Sequence, residues 1–244
     1  MILNILLFLL LSSSVLGNVN LVNSIIYNVK ELTLNTTNVI TIKGKITDEL
    51  ASNFIYELNQ KKEKENTFVY IDTNGGSVDA GNKIVDEIQN YNLDCVADRA
   101  ISMGFVILQS CHRRYITQYG ILMQHQMSYD VMGEKEKVES YVKFISQISD
   151  NLQDMQALKI GITRKKLKEL TYNDWWLFGE NAISENCVDG LIKVKCNTEL
   201  TNLNYTEDKG SYTYTYSKCP LVKNHIDKKK NKKESSFEDY FVFV

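Results

Sequence analysis

Residues 68–104 read FVYIDTNGGSVDAGNKIVDEIQNYNLDCVADRAISMG, and the order of residue types along them decides the fold class. Phe68 to Asp72 is rich in β-branched and aromatic residues and reads as a strand, which stops at the turn signature Thr73-Asn74-Gly75-Gly76. Val78, Gly81, Ile84, Val85 and Ile88 then recur at mostly three- and four-residue spacing, the mark of a helix with one apolar face. A second strand-like run leads into Ala100-Ile101-Ser102-Met103-Gly104. Strand, tight turn, helix, strand and sharp turn make a βαβ unit, so an α/β fold is expected.

Two features of this stretch point to chemistry. Neither residue of the glycine pair carries a Cβ, so the backbone there approaches another group closely and aims an N–H outward. Ser102 falls where a strand meets the apolar run Met103 to Leu108, which sets its hydroxyl near a helix N-terminus. Orphan N–H groups and the helix dipole favour negative charge at that place. Each feature also has an ordinary reading: the serine as a helix cap, the glycines as a plain turn.

Outward from this stretch, the 244-residue chain has 43% hydrophobic and 24% charged residues, enough for one good core and a tail. Its 28 basic and 30 acidic side chains leave a net charge of -2, with no electrostatic footprint for nucleic acid. The start, MILNILLFLLLSSSVLG, reads as a secretory signal peptide over residues 1–17, or as a membrane anchor if it is not cleaved. The triplets at Asn35 and Asn204 match glycosylation sequons. Five cysteines without CxxC spacing suggest one or two disulfides or buried thiols, and pairing of Cys196 with Cys219 would tie the tail to the core.

Before residue 68, Val39 to Ile42 reads as a strand, and Thr47 or Asp48 caps a helix with Leu50, Ala51, Phe54, Ile55 and Leu58 on its apolar face. Beyond Gly104, Arg114 to Thr117 and Ile121 to Gln124 read as two short strands, the second delivering His125 at its end. Glu134 to Ile160 is the longest helical pattern and, at 1.5 Å per residue, about 40 Å long, so part of it is expected to pack on another subunit. A short helix, the run TYNDWWLF, a last helix from Glu180 to Cys187 and a strand from Leu191 to Val194 close the domain. Residues 197–244, rich in Thr, Tyr, Asn and Lys, are expected to form a poorly packed, flexible tail.

NGGSVDAG, AISMG, LMQHQM, the long helix, YNDWWLF and ENAISENCVDGLI, in that order, resemble the proteolytic subunit of the Clp protease, within the superfamily that includes crotonases. The resemblance covers roughly Val39 to Val194, so the peptidase domain is expected over residues 39–196, with 18–38 as a divergent N-terminal segment. It implies a fold of repeated ββα units with a long, protruding oligomerisation helix, and a homo-oligomeric ring assembled through that helix and a strand near Met127 to Val131. It further implies a serine endopeptidase acting on short or unfolded polypeptides, in which Ser102 is the nucleophile, His125 the general base and Asp174 its orienting carboxylate. The N–H groups of Gly76 and Met103 would form the oxyanion hole. No cofactor is implied; ATP would enter only with a partner unfoldase of the AAA+ class.

The residue chemistry fits these roles, because a serine hydroxyl needs a base to take its proton, and a carboxylate on the far imidazole nitrogen fixes the tautomer. Three alternatives stand beside this reading. One is a Ser–Lys dyad, another an inactive ring scaffold or binding subunit, and the third crotonase chemistry on acyl thioesters.

Overall fold

The computed structural model describes residues 29–231. Strands β1 (Lys30–Leu34) and β2 (Val39–Lys43) lead into helix α1 (Asp48–Gln60), followed by β3 (Phe68–Thr73), α2 (Val78–Asn90), β4 (Asp94–Ile101) and α3 (Met103–Ser110). Next come β5 (Arg114–Gln124), α4 (Lys135–Ile160), α5 (Arg164–Leu170), β6 (Trp175–Phe178), α6 (Asn181–Ser184) and β7 (Gly190–Cys196). These seven strands form one sheet in the order β1-β7-β5-β4-β3-β2, with β6 added antiparallel to β5. The other pairings in it are parallel, so the fold is α/β as expected.

Local chemistry explains the elements around the site. Thr47 caps α1 by accepting a hydrogen bond from the Leu50 N–H at 3.2 Å, and Asp48 and Glu49 sit in the first turn, where the helix dipole favours them. Ser77 caps α2 in the same way through the Ala80 N–H. Ile84 and Ile88 of α2 are fully buried, each contributing about 1.5–3 kcal/mol, so a polar residue at either would unseat the helix. Helix α3, MGFVILQS, is buried along its whole length because α2 and α4 pack on it. Strand β3 carries the near-continuous apolar run Val69-Tyr70-Ile71 of a strand covered on both faces.

Some expectations change. Arg114 to Gln124 is one strand rather than two, and a register shift against β4 between Ala97 and Arg99 absorbs the residues around Gln118-Tyr119-Gly120. Residues 30–34, assigned to the divergent segment 18–38, form β1 along β7, burying Leu32 and Leu34. Residues 198–231 pack: helix α7 (Thr198–Asn202) leads to strands β8 (Asn204–Lys209), β9 (Tyr212–Ser217) and β10 (Asp227–Lys230) in an antiparallel sheet.

The physical reason for that packing is alternation. Tyr212, Tyr214 and Tyr216 share one face of β9; Tyr216 stacks on Tyr205 at 5.3 Å, and Lys228 lies 4.1 Å over the Tyr212 ring. The Cys196–Cys219 disulfide and an ion pair from Lys223 to Asp72 at 3.5 Å fasten the segment to the main domain. Residues 1–17, expected as a signal peptide, residues 18–28 and residues 232–244 lie outside the described residues.

A second disulfide, Cys95–Cys111, joins the start of β4 to the end of α3 and so closes the loop that carries Ser102. Cys187 is free and buried, and burial pushes its thiol up to about 12, which keeps it protonated and unreactive. Buried Arg114 binds Asp189 at 2.6 Å and also donates to Gln109 Oε1 and the Asn186 carbonyl, locking β5 to the turn before β7.

Helix α4 has 26 residues, about 39 Å, and only Gln156, Ala157 and Ile160 are buried. Its first half projects with Tyr141 43% and Phe144 55% exposed. Met127 to Val131, expected as an assembly strand, has no regular secondary structure here. A strand needs a neighbour to pair with, and the single chain offers this segment none.

Candidate active site

The carboxyl ends of β3, β4 and β5 converge, because Ile101 pairs with Met123 and Thr73 with Ala100. The glycine turn, Ser102 and His125 therefore leave the sheet side by side, at the edge where open α/β sheets bind ligands.

Ser102 joins β4 to α3 with φ 56° and ψ −119°, a conformation that side chains other than glycine rarely adopt and that costs on the order of 1–3 kcal/mol. Its N–H donates to the Met123 carbonyl at 2.8 Å, and its carbonyl accepts from Phe105 and Val106, which holds the strained turn in place. As the residue preceding α3, Ser102 has the position of a cap, yet its side chain makes no capping bond. Its Oγ lies instead 2.8 Å from His125 Nε2. With a neutral imidazole the hydroxyl donates and Nε2 accepts, the contact through which a base removes the hydroxyl proton.

His125 follows β5 directly. Its backbone N–H donates to Gln124 Oε1 at 3.0 Å; Gln124 Nε2 donates to Gln156 Oε1, and Gln156 Nε2 to the Leu152 carbonyl at 2.8 Å. Both glutamines are buried, so His125 is tied through a short amide chain to α4. Reading the sequence missed this pair. The available signal was a glutamine on an otherwise apolar face: Gln124 two residues beyond buried Leu122, and Gln156 midway between Leu152 and Ile160.

The glycine turn approaches Ser102 from the other side. A Cβ on Gly75 would lie 2.8 Å from both the Ile101 carbonyl oxygen and Ser102 Cβ, and one on Gly76, at φ +154°, only 2.3 Å from the Ile46 carbonyl oxygen. The Ile46 N–H donates to the Gly75 carbonyl at 2.9 Å, the Ser77 N–H to Ile46 at 2.9 Å, and the Gly75 N–H to Thr73 Oγ1 at 2.9 Å. Among the described residues the N–H groups of Gly76 and Met103 have no hydrogen-bond partner. Gly76, Ser102, Met103 and His125 line one cleft, closed on its far side by Leu152 and Gln153 of α4.

Asp174 stands apart. It is exposed, with φ +57°, and among the described residues neither its carboxylate nor His125 Nδ1 makes a hydrogen bond. Its backbone place does suit the expected role: Gln124 pairs with Trp175 across β5 and β6, and one further step of that register sets Asp174 opposite His125. No lysine lines the cleft, which leaves a Ser–Lys dyad without its base among the described residues. Nor do the described residues gather three His, Cys, Asp or Glu side chains that could hold a metal ion.

A family model described as Clp protease matches residues 23–195. The ATP-dependent Clp protease proteolytic subunit 2 of Tropheryma whipplei (strain Twist) is 30% identical over 155 residues, covering 62% of this chain and 86% of that relative.

Proposed function

Because the chain belongs to the Clp protease family, we propose that it is a serine endopeptidase that cleaves short or unfolded polypeptides through an acyl-enzyme on Ser102. The observation that carries this reading is the 2.8 Å contact between Ser102 Oγ and His125 Nε2, made from a strained backbone that gives up helix capping to reach it. His125 takes the hydroxyl proton as Oγ attacks the carbonyl, then passes it to the leaving amine. The free N–H groups of Gly76 and Met103 meet the developing oxyanion, each worth about 3–4 kcal/mol when well placed. Water repeats the cycle on the acyl-enzyme, with His125 again as base. Asp174 stabilises the imidazolium once its carboxylate turns toward Nδ1, and the register of β5 and β6 supports that role.

Copies of the chain assemble into a ring through the projecting half of α4 and the segment near Met127 to Val131. The exposed Tyr141, Phe144 and Met132 support this, since a face of large apolar groups is costly in water. The two disulfides and the apolar start of the chain support a secretory destination, where thiols oxidise. ATP enters only if an unfoldase docks on the ring.

Incubation of the full chain with an unfolded polypeptide, quenched in acid, is expected to give cleavage products and an acyl adduct on Ser102 by intact mass. Cleavage that persists undiminished in Ser102→Ala would refute the proposal.

A further inference from the structure

We propose that a second cleft, along the free edge of β2, takes an extended acidic segment of another polypeptide as an added strand. The proposal does not depend on the peptidase reading, since no residue of the Ser102 cleft lines this one. β2 is the outermost strand of the main sheet and pairs with β3 on one side. The Phe68 N–H donates to the Asn38 carbonyl at 2.8 Å, and the Gly44 N–H to the Asp72 carbonyl at 3.1 Å. Every second residue from Asn38 to Gly44 therefore turns its backbone groups toward β3. Alternation turns those of Val39, Thr41 and Lys43 the other way, to the open edge, and such an edge is a template for one more strand.

The edge lies in a slot between two walls. Helix α1 packs with Ile40 and Ile42 on one face of the sheet, and Leu200 packs with Val39 on the other. The end of α1, with Glu57 and Lys61, and the C-terminal segment, with Leu200, Leu203 and Tyr205, both line the cleft. Its volume is about 430 Å³, within the few hundred cubic ångströms of ordinary ligand sites. The five residues of β2 that floor it span about 13 Å at 3.3 Å per residue. A strand laid there sets alternate side chains against the polar wall and the apolar one.

Charge decides the occupant. Lys43, Lys61 and Lys218 line the cleft against one carboxylate, Glu57, which pairs with Lys218 at 3.8 Å. Lys61 Nζ donates to the Thr36 carbonyl at 2.8 Å and Lys43 Nζ to the Lys223 carbonyl at 3.3 Å. A carbonyl accepts a hydrogen bond but brings no counter-charge, and among the described residues neither lysine has an ion-pair partner. Lys61 is half-buried, and burial, with Lys218 nearby, holds its ammonium below the ordinary lysine value against the pull of Glu57. An ammonium drawn from water without a partner favours an incoming carboxylate, and each lysine keeps N–H groups to donate to one. Lys61 stands by the turn that enters β2 and Lys43 at the strand's end, so a strand with carboxylates toward both ends meets both.

The test is fluorescence anisotropy of the labelled peptide Glu-Val-Glu-Val-Glu-Val-Glu with the full chain carrying Ser102→Ala, which leaves the probe intact. Saturable binding is expected, and Lys61→Met is expected to weaken it at least about tenfold through loss of a charged hydrogen bond. Thr41→Pro should weaken it too. The N–H at that position makes no bond to β3, and proline is accepted on an edge strand whose N–H faces outward. The same peptide N-methylated on every backbone nitrogen is expected not to bind, and neither is its Lys-Val counterpart. These two probes use the unaltered cleft, so the test stands even if a variant fails to fold. No binding, or equal binding by the methylated peptide, by the lysine peptide or to Lys61→Met, overturns the proposal. Two other occupants have their own readouts. A lower assembled mass of Lys61→Met and Thr41→Pro in light scattering assigns the slot to a second copy. Tighter probe binding in Glu238→Gln with Asp239→Asn assigns it to this chain's own residues. Either result also overturns the proposal.

Discussion

Replacing Gly76 by alanine probes the cleft at the point where backbone geometry and chemistry meet. The new Cβ would stand 2.3 Å from the Ile46 carbonyl oxygen and 2.7 Å from its nitrogen, both backbone atoms on the strand-like bridge that fixes the turn. Neither atom yields as a side chain would, so the turn itself must move and carry the Gly76 N–H away from the cleft. Losing one oxyanion donor costs about 2.7–4 kcal/mol, a fall of roughly 10²–10³ in the rate of attack. The accompanying crowding costs on the order of 1–3 kcal/mol of stability. Gly44→Ala is the matched control. It also places alanine at positive φ, +82°, but its Cβ meets nothing within 4 Å. It is expected to lose about 1 kcal/mol of stability and to keep its rate. The assay is the second-order rate of fluorophosphonate labelling at a temperature where thermal melts show all three proteins folded. Equal labelling of Gly76→Ala and wild type, or an equal loss in Gly44→Ala, would refute the oxyanion reasoning.

Other perturbations test separate parts of the account. Partial burial raises the Asp189 carboxyl, but hydrogen bonds from the Arg114 side chain and backbone outweigh it and hold the carboxyl below its usual value. A depressed folded-state value means that this stabilisation is present above about pH 4 and is lost as pH falls through the folded value. Asp189→Asn is therefore expected to cost about 1–2 kcal/mol at pH 7 in urea unfolding, since buried Arg114 loses its counter-charge but the Asp189 side is partly screened by solvent, and the gap from wild type should close below pH 4. A gap independent of pH would contradict this. Substituting both Cys196 and Cys219 by serine removes a 23-residue link, worth about 3 kcal/mol, and should open β8 to β10 to limited proteolysis while Ser102 still labels. Tyr141→Ser with Phe144→Ser is expected to lower the assembled mass in light scattering, and an unchanged mass would remove α4 from the assembly surface.

Much of this site is legible because its parts are local. The switch from strand to helix period across Thr73-Asn74-Gly75-Gly76, and the serine at the next strand end, lie within 37 residues, and His125 ends the neighbouring strand. What escaped detection depends on non-local partners. β1 pairs with β7 from the far end of the domain, so Lys30 to Leu34 carries no local sign of its place. The Tyr/Thr alternation of β9 was masked by a chain-wide bias toward Tyr, Asn and Lys, and its stabilising contacts come from lysines and a disulfide elsewhere. Gln124 and Gln156 pair across two elements, and neither predicts the other. The Asp174 backbone lies opposite His125 by strand register, whereas its φ of +57° is a local conformation that no pattern encodes.

The most direct test of the central claim is fluorophosphonate labelling of the purified full chain beside Ser102→Ala and His125→Ala, with the modified residue mapped by mass. Adduct on Ser102 alone, absent in Ser102→Ala and slowed about 10²–10⁴-fold in His125→Ala, is the predicted result. Labelling that His125→Ala leaves untouched, or no labelling of a folded and assembled wild type, would contradict it.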